Sequence, residues 1–196
     1  MTGLRSQRGT TLLEMVFVSG VVATLGGIAV PQTLVALDDS RAAGAARYLS
    51  GRLQRARMDA VMRSADVAIK FTQTATGYSY TTYVDGNRNG VRTTDISKGV
   101  DRELLPAERL PDQFAGVDFG ALPNLPPVDP GGTAPGTDPV RLGSSNMASF
   151  SANGTSSTGT LYVRGRASQY AIRIYGETGK TRILKFETRT RQWKPL

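Results

Sequence analysis

From Leu12 to Leu37 the chain is almost uninterruptedly apolar, and the run carries one carboxylate, Glu14. A helix that is apolar on every side must be buried, either in a large core or in lipid. At about 1.5 Å per residue this run can cross a hydrocarbon layer of roughly 30 Å. Arg5 and Arg8 precede it, which places the N-terminus on the cytoplasmic side. A cleaved secretory signal also begins basic and apolar, but it expects a small-residue cleavage site after the apolar run. Here "AVPQTLVALDDS" passes straight into a helical pattern. A charge inside a bilayer costs several kcal/mol, so Glu14 calls for a function.

The remainder is long enough for one domain. With 196 residues and neither Cys nor His, the chain excludes disulfides, thiolate nucleophiles, Cys/His zinc sites and every His-based catalytic arrangement. An enzyme is therefore not expected. The net charge of +8 is uneven: residues 41–70 carry +5 and residues 161–196 carry +7, while residues 71–160 between them carry −3. A polyanionic partner would meet one of the two basic segments.

Pro31 is expected to kink the apolar helix, and Asp38, Asp39 and Ser40 are suited to capping its continuation. Leu49, Leu53, Ala56 and Ala60 recur at alternating four- and three-residue steps, an apolar stripe for a domain. Arg52, Arg55, Asp59 and Arg63 flank that stripe, either as a solvated face with i,i+4 pairs or as an anion site. After Ser64 the period becomes alternating. "DVAIKF", "GYSYTTYV", "GTLYVRG", "SQYAIRIYG" and "KTRILKFE" read as antiparallel strands, with a hairpin turn at "YGETGK". Residues 121–139 hold six of the ten prolines and are expected to be an exposed loop.

The stretch "RGTTLLE" resembles the class III signal of type IV pilins and type II secretion pseudopilins. The resemblance implies an α+β pilin fold, a long N-terminal helix packed on an antiparallel sheet. It divides the chain into a leader (1–9), a transmembrane and filament helix (10–37), an amphipathic helical half (38–65) and a β domain (66–196). Prepilin peptidase would cut between Gly9 and Thr10, and Thr10 would be N-methylated. Glu14 becomes the fifth mature residue, where the family places its Glu, and Pro31 the position of its kinking Pro. In a filament Glu14 would meet the N-terminal amine of a neighbour, which offsets desolvation and sets the register. The other reading is a Glu at the membrane interface of a simple anchor. "LQRARMDAVMRSADVAIKF", "DGNRNGVRTTD" with "RELL", and "SFSANGTSSTGTLYV" are similar to the GspH/FimT minor pseudopilins. Implied partners are other pilins, the peptidase and the bacterial inner membrane, crossed once, with the domain in the periplasm. No cofactor is implied.

Two further sites are raised by residues alone. Asp85, Asn87, Asn89 and Gly90 match the first, third, fifth and sixth positions of a calcium loop, but Ile96 stands at the twelfth and Asp95 one residue early. A plain turn wants the same Asp-Gly and Asn-Gly steps. In the C-terminal strands Arg173, Lys180, Arg182 and Lys185 are interleaved with aromatics, the ingredients of sequence-tolerant DNA binding. "GKTR" (179–182) is similar to a Gly-Arg-x-Arg motif of DNA-binding FimT-group members, with Lys180 in place of the first Arg. Alternating strands that simply turn cations to solvent would read the same.

Overall fold

A computed structural model describes residues 11–196, so the processing positions Gly9 and Thr10 lie outside the described residues. Its longest element is helix α1, Leu12–Arg63, 52 residues. Thr11 caps the start: its Oγ1 accepts the Glu14 N–H at 3.3 Å and its carbonyl accepts the Met15 N–H at 3.1 Å. Thr-x-x-Glu is the capping-box spacing, which satisfies N-terminal donors that have no intrahelical partner. The end is closed by Ser64 in the left-handed region (φ 49°) with a bond from Ala65 N–H to the Ala60 carbonyl. The helix remains continuous through Pro31.

The chain forms two compact units, one up to Leu37 and one from Asp38 to Leu196. In the first, the exposed run extends without a break from Leu12 to Leu37.

The second unit is a helix laid on two antiparallel sheets. The first sheet has the order β3-β2-β1-β6, from β1 (Val67–Thr74), β2 (Gly77–Val84), β3 (Arg102–Glu108) and β6 (Met147–Phe150). The second runs β10-β9-β8-β7-β4, from β4 (Asp118–Phe119), β7 (Gly159–Arg164), β8 (Gln169–Tyr175), β9 (Lys180–Glu187) and β10 (Gln192–Pro195). A short β5 (Val140–Arg141) also pairs with β7. Two short helices, α2 (Thr93–Ser97) and α3 (Leu110–Gln113), lie between strands. The domain is thus α+β, with two sheets where a single one was expected.

From Ala42 to Ala60 the helix buries Ala42, Ala43, Ala45, Ala46, Leu49, Leu53, Ala56 and Ala60. Small side chains let the backbone come close to the strands, and Leu49 and Leu53 fill the remaining space. They meet Val67, Ile69, Phe150, Leu161, Tyr170 and Ile172 in one core. In β8, Tyr170, Ile172 and Ile174 join this core while Ala171 faces the other way, as period-two alternation requires. That opposite face carries a second cluster of Leu125, Tyr162, Ala171, Leu184 and Phe186 with Trp193 packed against it. The proline-rich loop covers it: Trp193 Nε1 donates to the Pro126 carbonyl at 3.0 Å and Arg191 to that of Asn124 at 2.9 Å.

Asp38 and Asp39 do not cap a helix start, because α1 has no break there. They tie the helix to the second sheet instead. Asp38 accepts from Arg166 N–H (2.8 Å), Ala167 N–H (3.0 Å) and Ser168 Oγ (2.9 Å). Asp39 accepts from the Tyr170 hydroxyl at 2.8 Å and pairs with Lys185 at 2.6 Å. On the first sheet Glu108 does the same work, accepting from Tyr48 (2.6 Å) and Tyr80 (3.2 Å) and pairing with Arg52. Burial, then the charge of Glu108, pushes the Tyr80 hydroxyl far above the usual tyrosine range.

Candidate functional site

The apolar end of α1 has the properties of a stem. Leu12 and Leu13 are more than three-quarters exposed, at 84% and 80%, so nothing in the described chain covers them. Glu14 lies in the first turn, where the helix dipole favours a negative charge. Thr11 caps the stem and was passed over in the sequence, although "TLLE" carried the capping-box signal. Serine and threonine hydroxyls inside the run are turned back onto the helix: Ser19 donates to Met15 O, Thr24 to Gly20 O and Thr33 to Ala29 O. The surface from Leu12 to Leu37 is thereby compatible with an apolar medium, Glu14 and the exposed amide of Gln32 excepted.

The four C-terminal cations do not form one patch. Lys185 faces the helix and is committed to Asp39. Arg173 faces the opposite side, pairs with Asp129 at 2.7 Å and lies directly across from Arg182 in the register of β8 with β9. Lys180 and Arg182 are exposed on that outer side, with no ion pair among the described residues. The other residues of "GKTR" have structural duties. Thr181 Oγ1 is bonded to Ser50 Oγ (2.7 Å) and to Gln54 Nε2 (3.1 Å). Gly179 has φ 61°, and a Cβ there would come within 2.6 Å of Arg57 Nε and 2.7 Å of the Gly154 carbonyl.

The charged flank of α1 divides in the same manner. Arg52 is committed to Glu108, Arg55 and Asp59 form an i,i+4 pair at 3.9 Å, and Arg57 holds the Gly154 carbonyl at 2.9 Å. The Arg52 and Arg57 contacts hold the fold, whereas Arg55–Asp59 is a long surface pair and exposed Arg63 makes no ion pair with Asp59 among the described residues, so the flank is mainly a solvated face.

The loop after β2 uses its acidic residues on its own donors. Asp85 accepts from the N–H groups of Asn87 (2.9 Å), Arg88 (2.9 Å) and Gly90 (2.8 Å). Asp95 accepts from Asn87 Nδ2 (3.4 Å) and Asn89 Nδ2 (3.0 Å), so both amides present nitrogen to it. Buried Asp101 holds Gly86 N–H (3.1 Å) and Arg92 N–H (2.8 Å). Among the described residues no group of three or more acidic side chains could hold a metal ion. Asp85 thus forms an Asx-type turn with the N–H groups that follow it, and the amides of Asn87 and Asn89 tie the loop to Asp95 in α2.

An exposed apolar stem followed by a helix-on-sheet domain defines a pilin-like chain. The chain belongs to the GspH family: residues 45–178 match the family described as Type II transport protein GspH. It is 40% identical over 88 residues to the pilin-like protein PilA1 of Thermus thermophilus, a match covering 43% of this chain and 52% of that protein. The chain therefore spans about half the length of that relative. The minor pseudopilin EpsH of the Vibrio cholerae type 2 secretion system is similar over 80% of this chain and 95% of that one, with 11% identity and a TM-score of 0.39.

Proposed function

We propose that this chain is a minor pilin or pseudopilin, a non-enzymatic subunit of a type II secretion pseudopilus or type IV pilus assembled from the bacterial inner membrane. The observation that carries this reading is the fully exposed apolar run Leu12–Leu37 with its single carboxylate. Prepilin peptidase cuts after Gly9, Thr10 is methylated, the stem crosses the membrane once, and the domain lies in the periplasm. On assembly the stem moves from lipid into a bundle of other stems, where Glu14 neutralises the amine of a neighbour.

Mass spectrometry of the membrane-extracted protein tests the processing step. A chain beginning at N-methylated Thr10 is expected; an intact Met1 terminus in cells containing the peptidase would contradict it. Glu14→Ala is expected to abolish filament incorporation while membrane insertion is retained. Incorporation at the unmodified level would reduce Glu14 to an interfacial residue of a simple anchor.

A second reading, DNA binding in uptake, is favoured by the exposure of Lys180 and Arg182 without carboxylate partners among the described residues. It does not include Lys185, which Asp39 neutralises. Changing Lys180 and Arg182 together to Ala should then weaken a salt-sensitive DNA shift more than changing Arg52 and Arg55. Equal behaviour of the two double variants would end this reading.

A further inference from the structure

The outer face of the second sheet carries a polar pocket. Along the loop of residues 121–139, Leu125 and Val128 close onto Tyr162 and Trp193. At Asp129 the apolar contact stops, and a pocket of about 470 Å³ opens, lined among others by Asp129, Asp138, Arg141, Thr160, Tyr162 and Arg173. That volume is within the range of small-ligand sites, roughly 300–1,000 Å³.

The pocket's charges are not all matched. Arg173 pairs with Asp129 at 2.7 Å and donates to Thr160 Oγ1 at 3.4 Å, and its Nε is buried without a partner. Arg141 holds the Ala134 and Pro135 carbonyls through Nη1 (3.1 and 3.3 Å), yet no carboxylate lies within ion-pair distance of it among the described residues. Arg182, across the strand from Arg173, adds a further unmatched cation to this face. Arg182 lies outside the lining, however, and Asp138 likewise has no cation within ion-pair distance among the described residues, so the pocket leaves one cation and one anion without ionic partners and suits a ligand that offers both an anion and hydrogen-bond donors. Asp129 and Asp138 line the same space; Asp129 Oδ2 is held by Arg173 and Asp138 Oδ1 by the Val140 N–H (3.0 Å), which leaves one oxygen of each to accept from hydroxyl or amide donors. A bare inorganic anion satisfies the guanidinium and is repelled by the aspartates. A ligand with both a carboxylate and neighbouring hydroxyls satisfies the two sets together.

We propose that this pocket binds an acidic saccharide, a uronic acid unit whose carboxylate meets Arg141 and whose ring hydroxyls donate to Asp129 and Asp138. This goes beyond the assembly reading and does not rest on it, since the pocket lies wholly within the domain.

The test titrates the full chain in detergent micelles with digalacturonate, with digalactose, which lacks the carboxylate, and with succinate, which lacks the ring hydroxyls. Calorimetry should give digalacturonate an affinity at least about tenfold tighter than either. Amide shifts should be centred on Thr158–Thr160 and Arg141. Arg141→Met should lose at least about tenfold in affinity with its thermal transition unchanged. If that variant unfolds, Arg141→Lys, which keeps the charge and loses the fork, should bind with intermediate affinity. Equal affinity for the three probes, shifts elsewhere, or an Arg141 variant that binds like the unmodified chain would overturn the proposal. Displacement of all three probes by a short DNA duplex, with digalacturonate no better than succinate, would overturn it in favour of a nucleic acid.

Discussion

The two halves of α1 obey the same backbone geometry and opposite surface rules. From Leu12 to Leu37 large apolar side chains point in every direction and all are exposed; from Asp38 to Arg63 the buried residues are mostly alanine and lie on one side. A helix that is apolar all round has no preferred face, so it suits lipid and then a bundle of like helices. A helix with an alanine stripe has one face and one docking depth. Its remaining surface can carry the polar ties, Asp38, Asp39 and Arg52, that fix it on the sheets.

This contrast can be broken most forcefully in the domain half. Leu53→Ala, at a position that is fully buried, should cost about 2–5 kcal/mol in thermal or denaturant unfolding. Leu25→Ala, in the stem, should leave domain unfolding unchanged. Equal losses would mean that the two halves share one core.

Asp38 sharpens the comparison at the boundary. Partial burial pushes its carboxyl up, and the N–H groups of Ala167 and Arg166 with the Ser168 hydroxyl outweigh that and hold it below the usual carboxylate range. A group with a depressed folded-state pKa stabilises above its unfolded value and loses that contribution as pH falls through the folded value. The unmodified chain should therefore lose stability as pH drops below the ordinary Asp value of 3.8, and Asp38→Asn should lack this part of the loss. At neutral pH the same variant should cost about 1–3 kcal/mol, because the loop donors lose a charged acceptor. Denaturant titrations across that pH window measure both, and superimposable pH profiles for the two chains would contradict the assignment.

Smaller effects are expected where side chains are free. Changing Lys180 and Arg182 to Ala should alter unfolding by less than about 0.5 kcal/mol. Calcium should leave the melting temperature unchanged, since Asp85 and Asp95 are satisfied by the loop itself and a ligand stabilises only by binding the native state. A calcium-dependent rise would assign the loop a metal.

Much of this was legible before the fold. Strands β1, β2, β7, β8 and β9 were readable from β-branched and aromatic runs bounded by turn residues, although β7 and β8 prove to be buried on both faces. Strand β3 was not, since "RELLPAE" contains a proline and lies at a sheet edge, where the missing N–H is tolerated. Strand β6 is only four residues long, too short for a pattern. The buried helix face was read from the spacing of Leu49, Leu53, Ala56 and Ala60, whereas Ala42, Ala43, Ala45 and Ala46, with no leucine among them, gave little signal because alanine is common on exposed helices too. Among candidate site residues, charge alone could not separate Lys185 and Arg173 from Lys180 and Arg182. Their partners, Asp39 and Asp129, are distant in sequence and meet them only through the fold.

The chain joins an all-round apolar stem to a domain with its own core. Thermal unfolding combined with size-exclusion chromatography of residues 38–196 tests this most directly. The account predicts a soluble monomer with one cooperative transition. Aggregation, or the absence of a cooperative transition, would show that the Leu12–Leu37 segment belongs to the domain's core.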